Sequence, residues 1–280
     1  MNLQEVIRNP GLAKVAFVVT GGGAPGVCLS AGYCKALFEV GIKPAIWSGT
    51  SAGAVLGHIL SLDLDIGRVE RVIRALPPDA VISKRNMGYV TWFLFRDHLY
   101  NNDKAFALLQ QNGPQSWGDV KIPLLTWSTR LMTVCGDQHL ATPSDFRSPA
   151  EAALASMSIP YLFPAFKDMA GDLHCDGGVT NNVPLVESFF DQYDHVFLLV
   201  SQGRNKEAPD TEVPDKIEYL LLLLRSMMAA QVNRGVLQMA AHANSTTLYY
   251  PQEDDTGMLT FNPDLIDDAY DYAKTVLTPS

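Results

Sequence analysis

The sequence predicts an α/β protein built as three layers, α/β/α, around a largely parallel central sheet. Two short continuous apolar runs, Val15–Val19 and His195–Ser201, have the composition of strands buried on both faces. The first leads through a glycine-rich turn into a helical pattern. A second strand, Ala45–Ser48, does the same. A β-α-β-α opening of this kind lays helices on both faces of a parallel sheet.

The elements follow in order. After the first strand comes the turn Gly21-Gly22-Gly23-Ala24-Pro25-Gly26. Val27–Val40 then sets Leu29, Tyr33 and Leu37 at helical spacing and stops at Gly41. The second strand ends in the turn Gly49-Thr50-Ser51-Ala52-Gly53, and Ala54–Leu62 begins the next helix. Pro77-Pro78 breaks the chain, and Tyr89–Phe95 is rich in aromatic residues. Pro123–Ser128 reads as a strand and Ala150–Ser156 as a short helix ended before Pro160. Gly203–Pro214 is a polar surface loop. Lys216–Asn244 reads as one long helix bent near Gly235, Thr246–Tyr250 as a late strand and Asp264–Leu277 as a closing helix. No repeat or linker divides the chain, so residues 1–280 are expected to form one domain.

Bulk properties narrow the function. The chain has 280 residues, 47% of them hydrophobic, which suits one large core. Met1–Pro10 is polar, and no apolar run approaches the ~20 residues that cross a bilayer. A cytoplasmic protein, at most peripheral to a membrane, is expected. A net charge of −9 argues against nucleic acid as a partner and against tight docking on anionic lipid. The cysteines Cys28, Cys34, Cys135 and Cys175 form no C-x-x-C pair, so reduced thiols are expected. No Cys/His cluster has zinc-ligand spacing, and no metal is expected.

The chemistry concentrates in the two turns and one later segment. Gly49–Gly53 is a G-x-S-x-G turn between a strand and a helix. Such an elbow lifts its serine, Ser51, clear of the sheet and aims a helix N-terminus at the reacting carbonyl. Gly49 and Gly53 let the turn close. Within the run Gly21, Gly22, Gly23, Ala24, Pro25, Gly26, the glycines Gly21, Gly23 and Gly26 also satisfy a dinucleotide fingerprint. However, no acidic residue ends the next strand where a ribose would bind, and no G-K-[ST] follows. The amides near Gly22, Gly23 and Ala24 are favoured instead as an oxyanion hole. Asp176, followed by Gly177 and Gly178, is the candidate proton acceptor. A carboxylate with an ordinary pKa of ~3.9 needs a short contact in a partly desolvated place to act as a base. Of the histidines His58, His98, His139, His174, His195 and His242, the last fits a Ser–Asp–His order on paper. The elbow comes too early in the chain for that fold.

With these motifs in place the chain resembles the patatin-like phospholipases, whose glycine loop, G-x-S-x-G elbow and late D-G-G or D-G-A occur in this order. Ala155–Pro164 resembles the family's A-S-x-x-x-P block, and Asp176–Pro184 extends the third motif. The resemblance covers residues 14–201 and leaves 216–280 as C-terminal elements. It implies a Ser–Asp dyad without histidine: Ser51 as nucleophile, Asp176 as general base and Gly21–Gly26 as oxyanion loop, with no cofactor. The implied substrate is a lipid or other acyl ester. Members usually carry Arg or Lys where this chain has Pro25. Tyr89–Phe95 and Lys216–Asn244 are candidates for an acyl-chain wall or membrane-facing lid, or else for core or a homodimer contact. A soluble-ester hydrolase, thioesterase or acyl transferase with the same dyad, or an inactive binding protein of this shape, stay open alternatives.

Overall fold

The computed structural model describes residues 1–82, 98–132, 136–203, 216–252 and 257–278. Its strands are β1 (Val15–Val19), β2 (Pro44–Thr50), β3 (Leu124–Leu131), β4 (Gly136–Leu140), β5 (Phe166–Lys167), β6 (Leu173–Asp176), β7 (His195–Val200) and β8 (Ser245–Tyr249). They form one eight-stranded mixed sheet in the order β5-β6-β3-β2-β1-β7-β8, with β4 also on β3. The run β3-β2-β1-β7-β8 is parallel throughout. The expectation of a largely parallel sheet holds for that run. The outer strands β4, β5 and β6 pair antiparallel and make the sheet mixed.

Nine described helices accompany the sheet: α1 (Leu3–Arg8), α2 (Gly23–Glu39), α3 (Ala52–Leu60), α4 (Ile66–Ala75), α5 (Asp103–Asn112), α6 (Pro149–Ser156), α7 (Phe189–Gln192), α8 (Lys216–Ala240) and α9 (Asp264–Leu277). Side chains alternate between the two faces of β1. Val15, Phe17 and Val19 join one core with Phe197, Leu199 and residues of α2, α3 and α9. Ala16 and Val18 join the other with Val196, Leu198 and residues of α7 and α8. Both faces of the central strands are therefore covered, as their unbroken apolar composition requires.

Helix α2 starts earlier than its apolar spacing suggests. It opens inside the glycine run, and Pro25 lies in its first turn. A first-turn N–H has no partner within its helix, so a residue without one fits there. Helix α8 ends at Ala240 and runs unbroken through Gly235, which packs against Val183. The aromatic segment Tyr89–Phe95, Cys135 and most of the loop 203–214 lie outside the described residues. Cys28, Cys34 and Cys175 are buried.

The sheet topology fixes where a site forms. At β1 the strand order reverses, with β2 on one side and β7 on the other. Loops leaving such a switch point diverge and leave a crevice beyond the strand ends. The glycine run follows β1, Ser51 follows β2, and Ser201–Gly203 follows β7.

Candidate active site

Ser51 is the single residue between the end of β2 and the start of α3, with φ 51° and ψ −117°. A non-glycine residue held there is strained by on the order of 1–3 kcal/mol. Its surroundings hold it in place. The Ser51 N–H donates to Ser156 Oγ at 2.9 Å, and that hydroxyl donates to the Trp127 carbonyl at 2.6 Å. The turn closes because Gly53 has no side chain: a Cβ there would lie 2.2 Å from the Val19 carbonyl oxygen. Gly49, at the end of β2, backs onto the Gly53 carbonyl.

Strand register brings Asp176 to the same height. Thr50 pairs with Trp127 on one side of β3, and Asp176 pairs with Ser128 on the other. The two residues thus approach across a single intervening strand. The Asp176 N–H donates to the Ser158 carbonyl at 2.9 Å, and Thr129 Oγ1 donates to the Asp176 carbonyl at 2.9 Å. The Ala155–Pro164 block therefore anchors both residues, Ser51 through Ser156 and Asp176 through Ser158. Gly177 lets the chain turn against β3, since a Cβ there would sit 2.4 Å from the Trp127 carbonyl oxygen. The Gly178 N–H donates to Asp176 Oδ1 at 2.8 Å. Oδ2 is buried and has no hydrogen-bond partner among the described residues. Burial pushes the Asp176 carboxyl up to about 6, while the nearby Ser51 hydroxyl and the Gly178 N–H oppose that rise.

The glycine run divides into occupied and open amides. The Gly21 N–H donates to Asn182 Oδ1 at 3.0 Å, and the Ala24 N–H donates to the Met258 carbonyl at 2.9 Å. The Gly26 N–H closes onto the Gly22 carbonyl inside α2, where Gly26 packs on Ser201. Gly22 and Gly23 keep N–H groups with no described partner, and both residues line the cleft around Ser51. Ala24 is thereby removed from the expected set of free donors, because the chain near Met258 caps it. The Ala52 N–H, at the first position of α3, also has no described acceptor. Asn182 is wholly buried and ties the Asp176 segment to the glycine run; its own N–H is held by Gln231. Its linking role, like those of Ser156 and Ser158, was invisible in spacing alone.

Ser51 and Asp176 line one cleft that opens into solvent. Gly22, Gly23, Ser201, Gln202, Met228 and Arg225 are among its walls. Arg225 is exposed, and no described residue forms an ion pair with it. No histidine lines this cleft. His242 stacks on Phe190 with ring centroids 3.6 Å apart, and His58 is buried against the Leu109 carbonyl. His174 meets Ser128 Oγ at 2.9 Å and Asp168 Oδ2 at 3.1 Å, a Ser–His–Asp set by composition. Ser128 and His174 are wholly buried and reach no substrate from there. Among the described residues no group of three or more His, Cys, Asp or Glu side chains could hold a metal ion.

Comparison with known proteins agrees with this architecture. The chain is 24% identical over 257 residues to the uncharacterized protein YqhO of Bacillus subtilis (strain 168), covering 85% of this chain and 87% of that one. Its fold is similar to the crystal structure of VipD from Legionella pneumophila, with a TM-score of 0.51 at 15% identity. That match covers 95% of this chain and 66% of VipD, so the chain spans just under two thirds of VipD's length. The model of the patatin-like phospholipase family matches residues 17–188, from within β1 to the entry of α7. The matched stretch contains the glycine run, the serine elbow and the Asp-Gly-Gly turn. The chain therefore belongs to the patatin-like phospholipase family, whose general activity is lipid acyl hydrolysis.

Proposed function

We propose that this chain hydrolyses carboxylic esters of lipids, as a phospholipase A or lysophospholipase, through an acyl-enzyme on Ser51. One observation carries the reading: a strained serine and a buried carboxylate with an open oxygen share one cleft and are pinned by the same block. Asp176 takes the proton from the Ser51 hydroxyl as its oxygen attacks the acyl carbonyl. The Gly22 and Gly23 N–H groups, with that of Ala52, receive the developing oxyanion at the positive end of α3. The alcohol leaves with the proton from Asp176. Water then attacks the acyl carbonyl as Asp176 takes its proton; the ester bond to Ser51 Oγ breaks, Asp176 returns the proton to Ser51, and the acid is released. Neither half-reaction calls for a metal or an organic cofactor.

Two features favour a lipid over a small soluble ester. Arg225 places a permanent cation in the cleft, where a phosphate on the leaving group would meet it. On the outside of the same helix, Tyr219, Leu222, Leu223 and Met227 are 44–56% exposed. Their spacing makes one apolar stripe on the helix face turned away from Leu224, Arg225 and Met228, fit for the surface of a bilayer. The test is a substrate panel of diacyl phospholipid, lysophospholipid, acyl thioester and short p-nitrophenyl ester, with Ser51→Ala as control. Hydrolysis of the phospholipids that vanishes in Ser51→Ala supports the reading. Undiminished turnover in Ser51→Ala, or turnover confined to thioesters, overturns it.

A further inference from the structure

A second, apolar cavity opens behind Ser51, on the side of α3, α4 and α5. Its wall is hydrocarbon. Among the described residues that line it, Asn112 is the only polar side chain apart from Ser51, and Asn112 Nδ2 is turned back onto the Leu108 carbonyl at 2.8 Å. Val55, Ile59, Val72, Leu76 and Leu108 line it and are only half-buried, although helices surround them. An apolar cavity takes up hydrocarbon in preference to water, because water finds no hydrogen-bond partners there.

The two cavities meet at the serine. Gly23, Ser51 and Ile159 line both, while Asp176 and Arg225 line only the first. A carbonyl held at Ser51 therefore has a polar, solvent-open space on one side and a greasy one on the other. The expected acyl wall lay elsewhere: Tyr89–Phe95 is outside the described residues, and no residue of α8 lines the second cavity.

We propose that the α3–α4–α5 cavity is the acyl-chain subsite and that its finite volume sets which straight-chain lengths are cleaved. The inference rests on Ser51 being the acylated residue. It deepens that reading by assigning the two ends of the substrate: the acyl tail in the second cavity, the leaving group beside Arg225. Each methylene that enters the cavity should raise affinity about fourfold, the equivalent of its transfer from water. Beyond the length that fills the space, the gain should stop.

The experiment measures two properties of the same proteins. Equilibrium binding of a homologous series of straight-chain primary alkanols reports the cavity without requiring catalysis. The kcat/KM for a homologous series of p-nitrophenyl esters reports it through hydrolysis. Val72→Phe narrows the cavity and Leu108→Ala widens it, and a thermal melt checks each fold. The expected result is a break in both series, moved to shorter chains by Val72→Phe and to longer chains by Leu108→Ala. Opposite shifts from two variants cannot arise from loss of stability alone. A break at the same length in all three proteins overturns the proposal, as does alkanol binding that ignores chain length. If alkanols behave as expected but no ester is cleaved, the catalytic reading fails while the cavity stands. If esters are cleaved with unmoved length dependence, the cavity assignment fails alone.

Discussion

Asp176 carries opposed demands. Its ordinary carboxyl pKa is near 3.8, and burial raises it to about 6. As a base it must be ionised, so kcat/KM should climb as pH rises through about 6 and level off above it. Stability runs the other way. A folded-state pKa above the unfolded value means that the fold prefers the protonated carboxyl. That contribution is complete below the ordinary pKa and is lost as pH rises through about 6. At neutral pH the protein thus carries a buried carboxylate with one unpartnered oxygen, which costs it stability. Asp176→Asn should lower kcat by about 10²- to 10⁴-fold. The same variant should melt higher than the parent at neutral pH by a few degrees, with the difference shrinking toward pH 4. A pH-independent difference in melting temperature, or unchanged kcat, would contradict this account of the residue.

At the scale of elements, the site depends on what each strand end and helix face delivers. Helix α8 presents Leu224, Arg225 and Met228 to the cleft. Replacing Arg225 by Gln should raise KM for lysophospholipid by about tenfold, the value of one charge-assisted hydrogen bond. It should leave a neutral p-nitrophenyl ester unaffected; equal losses on both substrates would assign Arg225 a structural role. Much of this level was legible in the sequence. β1, β2 and β7 announce themselves through apolar runs because most of their residues are buried, and α9 through helical spacing because one face of it is buried. Both chemical turns could be read because strained backbone demands particular residue types. The strands β4 and β6 could not be read. Gly136-Asp137-Gln138-His139-Leu140 is partly exposed at the margin of the sheet and has no apolar alternation. β6 spells Leu173-His174-Cys175-Asp176, and its His174 is buried only because Ser128 and Asp168 satisfy it. The meeting of Ser51 and Asp176 likewise depends on β3 standing between them, a register that spacing along the chain does not encode. The linking roles of Ser156, Ser158 and Asn182 depend on that register too.

Across the whole molecule, charge and surface decide how a lipid could be reached. The net charge is −9, yet α8, which helps line the cleft, carries an exposed apolar stripe on its other face. No described helix is long and apolar enough to cross a membrane. Binding to bilayers should therefore be hydrophobic and little affected by salt. Co-sedimentation should be seen with zwitterionic vesicles, should not improve with anionic lipid, and should fall in Leu223→Asp/Met227→Asp. Pelleting that depends on anionic lipid, or that persists in the double variant, would count against the stripe. In the proposed mechanism the hydroxyl at the β2–α3 elbow is activated by a carboxylate one strand away. The most direct measurement is labelling with a fluorophosphonate, followed by mass-spectrometric location of the adduct. The account predicts one adduct, on Ser51, lost in Ser51→Ala and strongly slowed in Asp176→Asn; no adduct, an adduct on another serine, or equal labelling in Asp176→Asn would contradict it.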